Sequence, residues 1–250
     1  MKISIRTMVA AAAFGLSMFG ATTDANAQND GYDGQITFVS VKAWGGNGRG
    51  GPFEVAGNPA SLHTATGKWG AESGNFVTFC IERNEHIREG RTYDVNINDR
   101  AIMGGEGGGN PDPLDTRTAF LYTQFLEGTL ADGFNNWSGS TKTFEYFDHK
   151  SGIALQDAIW TIEDEDPDYK QKKFAEELVA YADEAVAEGG IWFGKGIGNV
   201  RVLNLYENGE HAQDQLTFVP LPAPVAMAVV GLAGAGFMSR RRRAAENLVG

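Results

Sequence analysis

The 250-residue chain has one cysteine, Cys80. A disulfide framework, the usual support of small exported domains, is therefore excluded. The four histidines, His63, His86, His149 and His211, are scattered, with no H-x-x-x-H pair and no second cysteine, so no zinc-ligand spacing is present. Gly45–Gly51 is glycine-rich but lacks the lysine of a phosphate loop, and there is no Gly-x-Ser-x-Gly nucleophile elbow. Nothing in these patterns calls for a cofactor or a metal. Positive charge is scarce: 21 Lys and Arg face 32 Asp and Glu, a net charge of −11. Such a surface argues against nucleic acid as a partner. Long apolar runs occur only at the two ends.

Those ends read as addresses. Lys2 and Arg6 precede the apolar stretch Val9–Gly20, and Ala25-Asn26-Ala27 fits the small-x-small cleavage rule. Residues 1–27 are expected to be a signal peptide, with the mature chain starting at Gln28. At the other end stand Pro220, Leu221, Pro222 and Ala223, then the apolar run Val225–Met238, then Arg240, Arg241, Arg242 and Arg243. The run is marginal for the ~30 Å hydrocarbon core, and the arginines would stay on the cytoplasmic side. This tripartite tail, 220–250, resembles the sorting tail of the PEP-CTERM family of bacterial surface proteins, in its VPLPA variant (Val219–Ala223). The resemblance implies transient retention in the inner membrane and processing by an exosortase-type transpeptidase. It also implies delivery to the cell surface or extracellular matrix. Residues 28–219 are then the secreted ectodomain, one domain by length and more acidic still once the basic ends are removed.

Within the ectodomain the hydrophobic period changes twice. Gln35–Lys42, Phe53–Val55, Asn75–Ile81 and Thr92–Ile97 carry strand character. In Asn75–Ile81, alternation puts Val77, Phe79 and Ile81 on one face, the better core set, and Phe76, Thr78 and Cys80 on the other. Three helices follow. The first runs from a cap at Asp115 to Leu126, stopped by Gly128; the second covers Ile153–Glu163; the third covers Lys172–Glu188. Gly198–Tyr206 and Gln215–Val219 return to strand. Strands, helices, then strands predict an α+β domain: a β-sandwich or partial barrel with a three-helix insertion.

One pair of residues carries a chemical possibility. Cys80 sits in Phe79-Cys80-Ile81-Glu82, and Gln156 in Leu155-Gln156-Asp157-Ala158-Ile159-Trp160. A thiolate held against a side-chain amide can expel ammonia and leave an internal thioester, provided the two groups are oriented and water is kept away. A strand and a packed helix supply such a frame, with Trp160 one turn beyond Gln156 as a roof. The two motifs, with Phe120-Leu121-Tyr122 between them, are similar to those of thioester-forming domains of bacterial adhesins. The resemblance implies Cys80 as the thioester sulfur and Gln156 as the acyl donor, with Glu82 and Trp160 supporting. It also implies an amine-bearing surface ligand as the target. Leu155 departs from it, since the adhesin motif has threonine there.

Other acidic residues lead less far. Asp164, Asp166 and Asp168 have EF-hand spacing, but Tyr169 stands where glycine is required and Ala175 where glutamate is required. Glu82 and Glu163 are the carboxylates to consider for glycoside hydrolysis, an activity that pairs two acids across a cleft. Two functions therefore remain open. One is a covalent adhesin, acting on itself rather than as a turnover enzyme. The other is a non-covalent component of a surface layer or exopolysaccharide matrix, with Cys80 a buried free thiol.

Overall fold

The computed structural model describes residues 31–45, 50–57, 69, 71, 74–102, 109–165 and 170–219. The expected signal peptide (1–27) and sorting tail (220–250) lie outside the described residues, as do residues 166–169 of the acidic run. Among the described residues, no helix is long and apolar enough to cross a membrane.

The domain is α+β. Six antiparallel strands form one sheet in the order β3-β2-β1-β4-β7-β8: β1 Gly34–Ser40, β2 Phe53–Gly57, β3 Asn75–Thr78, β4 Thr92–Asn98, β7 Val200–Glu207 and β8 Glu210–Phe218. The short strands β5 (Arg100–Ala101) and β6 (Asp112–Pro113) make a separate two-stranded ladder. Among the described residues no second large sheet packs on this one; its outer strands meet each other instead. Beyond β3 the chain continues extended, and Cys80 pairs with Gln215 of β8. The Ile81 N–H donates to the Asp214 carbonyl (3.1 Å), and the Leu216 N–H to the Phe79 carbonyl (2.9 Å). This closure satisfies backbone groups that an open edge would expose.

Closure gives the strands two buried faces. Ile36, Phe38, Phe53, Val55, Phe76, Cys80, Tyr93, Val95, Leu203 and Leu205 form one apolar cluster, joined by Trp160. Val77, Phe79, Ile81, Val202 and Leu216 point the other way, into a larger cluster with the helices. The alternation read from Asn75–Ile81 is therefore correct, but both of its faces are core.

Among the described residues four α-helices cover that second face, one more than expected: α1 Thr116–Glu127, α2 Leu130–Asn135, α3 His149–Ile162 and α4 Lys172–Val186. The α1 boundaries follow local chemistry. The Asp115 carboxylate accepts from the Arg117 N–H, and Gly128 ends the helix in the left-handed region (φ 82°). The additional helix, α2, is a six-residue turn held by buried Leu130 and Phe134, a pattern too short to read against its polar neighbours. Helix α3 begins four residues before the expected start. Asp148 caps it by accepting from the Ser151 N–H at 2.8 Å, although His149-Lys150-Ser151-Gly152 carries no apolar stripe. Gln156 is thus mid-helix rather than at a helix start. Helix α3 is buried on nearly every side, as a helix packed between two layers must be. The Tyr122 hydroxyl fixes α1 to the sheet by donating to the Val77 carbonyl at 3.1 Å.

Candidate functional site

The residues that pair the ends of the sheet also place the site. Cys80 lies at the junction between the β3 extension and β8, with its side chain turned away from the helical core. Helix α3 crosses this junction. Leu155 faces the helical core, while Gln156, the next residue around the helix, reaches the cysteine. Leu155 is fully buried there, so the position that departs from the adhesin motif serves packing in this chain.

Four contacts fix the Gln156 amide. Its Oε1 accepts from the Gly51 N–H at 3.0 Å and from the Cys80 N–H at 3.1 Å. The Cys80 Sγ lies 3.3 Å from the same oxygen, and Gln156 Nε2 donates to the Cys80 carbonyl at 2.8 Å. Only this orientation of the amide satisfies two N–H donors on one side and a carbonyl acceptor on the other. Cys80 is 0% exposed and Gln156 1%. The strand extension and helix α3 thus bring Cys80 and Gln156 into atomic contact.

The arrangement holds the groups that an acyl transfer would need. Two backbone N–H groups converge on a carbonyl oxygen, where negative charge develops if a nucleophile adds to the adjacent carbon. Beside it lies the Cys80 thiol, and the amide nitrogen is held by the Cys80 carbonyl. The thiol is weakly acidic in this setting. Burial pushes its pKa well up, and the Glu82 and Glu165 carboxyls add to the rise; the Cys80 and Gly51 N–H groups oppose it.

The sequence reading missed Gly50 and Gly51, which read only as loop. A Cβ on Gly51 would stand 3.0 Å from Gln156 Oε1 and 3.0 Å from Phe79 Cδ1. A Cβ on Gly50 (φ +113°) would stand 2.8 Å from Trp160 Cη2 and 3.1 Å from Gln156 Cγ. The two glycines let the backbone lie directly on the amide, with Trp160 closing over them. Paired glycines before a proline were the available signal.

A cavity of about 550 Å³ opens over this arrangement. Gly50, Gly51, Gln156 and Trp160 form part of its wall, whereas Cys80 does not reach it. The amide is therefore approached from the cavity, and the sulfur sits on the closed side. Neither Glu82 nor Glu163 lines the cavity, so the two acids do not form a pair across it.

Glu82 instead belongs to a second buried polar cluster, two residues beyond Cys80. Its Oε2 accepts from the Asp214 N–H at 3.0 Å, and its Oε1 has no partner. Burial, with Asp214 adding to it, pushes the Glu82 carboxyl up to about 9. Asp214 accepts from Asn204 Nδ2 (2.7 Å), the Ile102 N–H (3.0 Å) and the Leu205 N–H (3.2 Å), and pairs with His211 Nε2 at 2.9 Å. For His211, burial favours the neutral ring, but Asp214 outweighs it and the pKa is raised. Ligand atoms of Glu82, His211 and Asp214 lie within 4.8 Å of one another. Both Asp214 oxygens are already engaged, so a cation there would have to displace these donors. The sequence separates Glu82 from the other two by some 130 residues, which hid the cluster. Glu163 is buried elsewhere, accepts from the Asp115 N–H, and is pushed up to about 8, chiefly by burial. Glu165 Oε2 accepts from the Arg83 N–H at 2.8 Å.

No family model and no curated protein matches the chain. Among solved structures, the N-terminal thioester domain of the fibronectin-binding protein SfbI from Streptococcus pyogenes aligns with a TM-score of 0.43 and 14% identity. The alignment covers 78% of this chain and 97% of that one.

Proposed function

We propose that the ectodomain forms an internal thioester between Cys80 and Gln156 and uses it to attach covalently to primary amines on a partner surface. The observation that supports this reading is the convergence on one buried amide of a thiol and two N–H donors. Formation balances without a co-reactant. The thiol sulfur adds to Gln156 Cδ, the C–N bond breaks, and the thiol proton leaves with the nitrogen as ammonia. The Gly51 and Cys80 N–H groups would stabilise the tetrahedral oxyanion. Burial would then shield the product from hydrolysis.

In this reading the chain is exported by its signal peptide and held transiently by its tail. An exosortase-type transpeptidase then cuts near Pro220–Ala223, and the ectodomain joins the cell surface or extracellular matrix. It is an adhesin whose bond is made once, not a turnover enzyme.

Intact mass of the purified protein tests the chemistry. The thioester reading expects a deficit of one ammonia, uptake of methylamine, and loss of both in Cys80→Ala. The second reading, a non-covalent matrix component, is favoured by the burial that raises the thiol pKa. It expects an unmodified mass and a thiol that titrates after unfolding.

A further inference from the structure

The buried cluster at the sheet closure is built from two strands that meet there. Glu82 belongs to the β3 extension, where its carbonyl accepts from Gln213 Nε2 at 2.6 Å, and His211 and Asp214 belong to β8. In a regular strand residues 211 and 214 would face opposite sides. Here Leu205 pairs with Ala212 and Leu203 with Gln215, so Gln213 and Asp214 both stand opposite Asn204. This bulge reverses the alternation and turns the His211 ring onto the Asp214 carboxylate. Closure of the sheet then delivers Glu82 to the same place, with its Oε2 held by the Asp214 N–H.

Three observations make this a ligand set. First, Glu82 is 1% exposed, yet its Oε1 has no hydrogen-bond partner. A bare oxygen in the interior costs stability unless something supplies it with positive charge. Second, Asp214 is oriented by a built outer shell, Asn204 Nδ2 and the Ile102 N–H on its Oδ2. Third, Glu85 and Glu165 add negative charge around Glu82, and Glu85 does so at His211. Carboxylates gathered in this way attract a divalent cation.

The rearrangement needed is small. His211 Nε2 and Asp214 Oδ1, 2.9 Å apart, are close to the spacing of two ligands at ~2.1 Å from one ion. The first donor to be displaced is the His211 proton between them. One ligand atom from each of the three residues lies within 4.8 Å of the others, against roughly 3.4 Å in a tetrahedral shell, so Glu82 closes in by about 1 Å. Only its Oε2 is tethered, and the His211 side chain is partly exposed, which gives an ion a way in.

We propose that Glu82, His211 and Asp214 bind one divalent cation of the zinc class, which clasps the β3 extension to β8 beside Cys80. One imidazole with two carboxylates suits zinc, with water in the fourth position, whereas calcium and magnesium take all-oxygen sets. The site does not depend on the thioester reading, because Cys80 is not one of its ligands.

The test strips the purified protein with a chelator, loads it with zinc, desalts it and measures bound metal by elemental mass spectrometry. The expected result is one zinc per chain and a higher thermal midpoint. His211→Gln should weaken zinc binding about a hundredfold or more, while Cys80→Ala and His86→Gln should retain it. Cobalt loaded in place of zinc should give the strong visible bands of a four-coordinate site, a readout that needs no variant. No retained zinc with an unchanged midpoint would overturn the proposal, as would only the faint bands of hydrated cobalt. Zinc kept by His211→Gln, or lost from folded Cys80→Ala, would place the ion elsewhere and overturn it too. Calcium raising the midpoint more than zinc would overturn the class of cation.

Discussion

The two faces of the segment Phe76–Ile81 are equally buried and differently used. On the helix side, Val77, Phe79 and Ile81 pack into the apolar cluster formed with the helices. Their contribution is hydrophobic area and close packing, which tolerate volume-conserving exchange. On the inner side, Phe76 continues the apolar wall, but Cys80 meets an amide held by four polar contacts. On that side a misaligned donor would leave a buried polar group unpaired, and in the proposed thioester reading it would also impair the chemistry. Burial alone therefore does not separate a purely apolar position from one set in a polar network. The hydrogen bonds that converge on a neighbour do.

The sharpest way to break the comparison is to alter one face at a time. Cys80→Ala should abolish the ammonia deficit and amine labelling completely while leaving a folded domain. Phe79→Ala should cost about 3–5 kcal/mol, read as a lower denaturation midpoint. In whatever fraction of that variant stays folded, the thioester should persist. If Cys80→Ala unfolded the protein as readily as Phe79→Ala, the two faces would not differ in kind.

A smaller effect is expected from the donors. Gly51→Ala keeps its N–H but places a methyl group 3.0 Å from Gln156 Oε1. Displacing the amide should slow thioester formation by about a hundredfold, followed as the mass deficit appears with time. An unchanged rate would mean that the two N–H groups hold the amide without assisting it.

Leu155→Thr sharpens the contrast from the helix side. The residue packs in the helical core, so the substitution should cost about 2–3 kcal/mol in chemical denaturation. It should leave the yield of thioester in folded protein unaltered. A rise in yield would instead show that a hydroxyl at this position reaches the amide.

The smallest expected effect is on pH dependence. Glu82 and Glu163 have folded pKa values raised to about 9 and about 8, chiefly by burial. Each binds its proton more tightly folded than unfolded, so between the ordinary carboxylate pKa near 4.5 and these raised values the native state holds more protons. Stability contributed by these groups should therefore fall as pH rises from about 5 to 9. Thermal midpoints across that window should drift downward, and Glu82→Gln should flatten the drift. A midpoint that climbs with pH would place an ionised Glu82 in the native state.

How far the sequence reached depended on the range of the interaction. The α1 boundaries were legible because Asp115 and Gly128 act on their own backbone. The start of α3 was not, because its first turn is polar and its helicity comes from the Asp148 cap and from tertiary burial. The inside–outside alternation of Asn75–Ile81 was legible, but the closure that buries both faces depends on β8, some 135 residues later. Cys80 and Gln156 were found through motif resemblance. Nothing local to either residue required their contact. Gly50 and Gly51 read as loop, since a glycine pair has the same appearance whether it spans a turn or lies against an amide. The Glu82–His211–Asp214 cluster joins residues from the two ends of the domain and had no local signature.

The ladder from Phe79 to Ile81 also has a mechanical meaning. Strand β8 is bonded on one side to β7 along most of its length and on the other to the β3 extension. A pull applied at Val219 runs along β8, so both sets of bonds bear the load side by side in shear. Peeling an edge strand would break them one after another. A strand loaded in this way yields at high force. A Cys80–Gln156 bond would add a covalent tie between that clamp and α3, and residues 80–156 could not pay out as slack until the tie was exchanged for a bond to the partner.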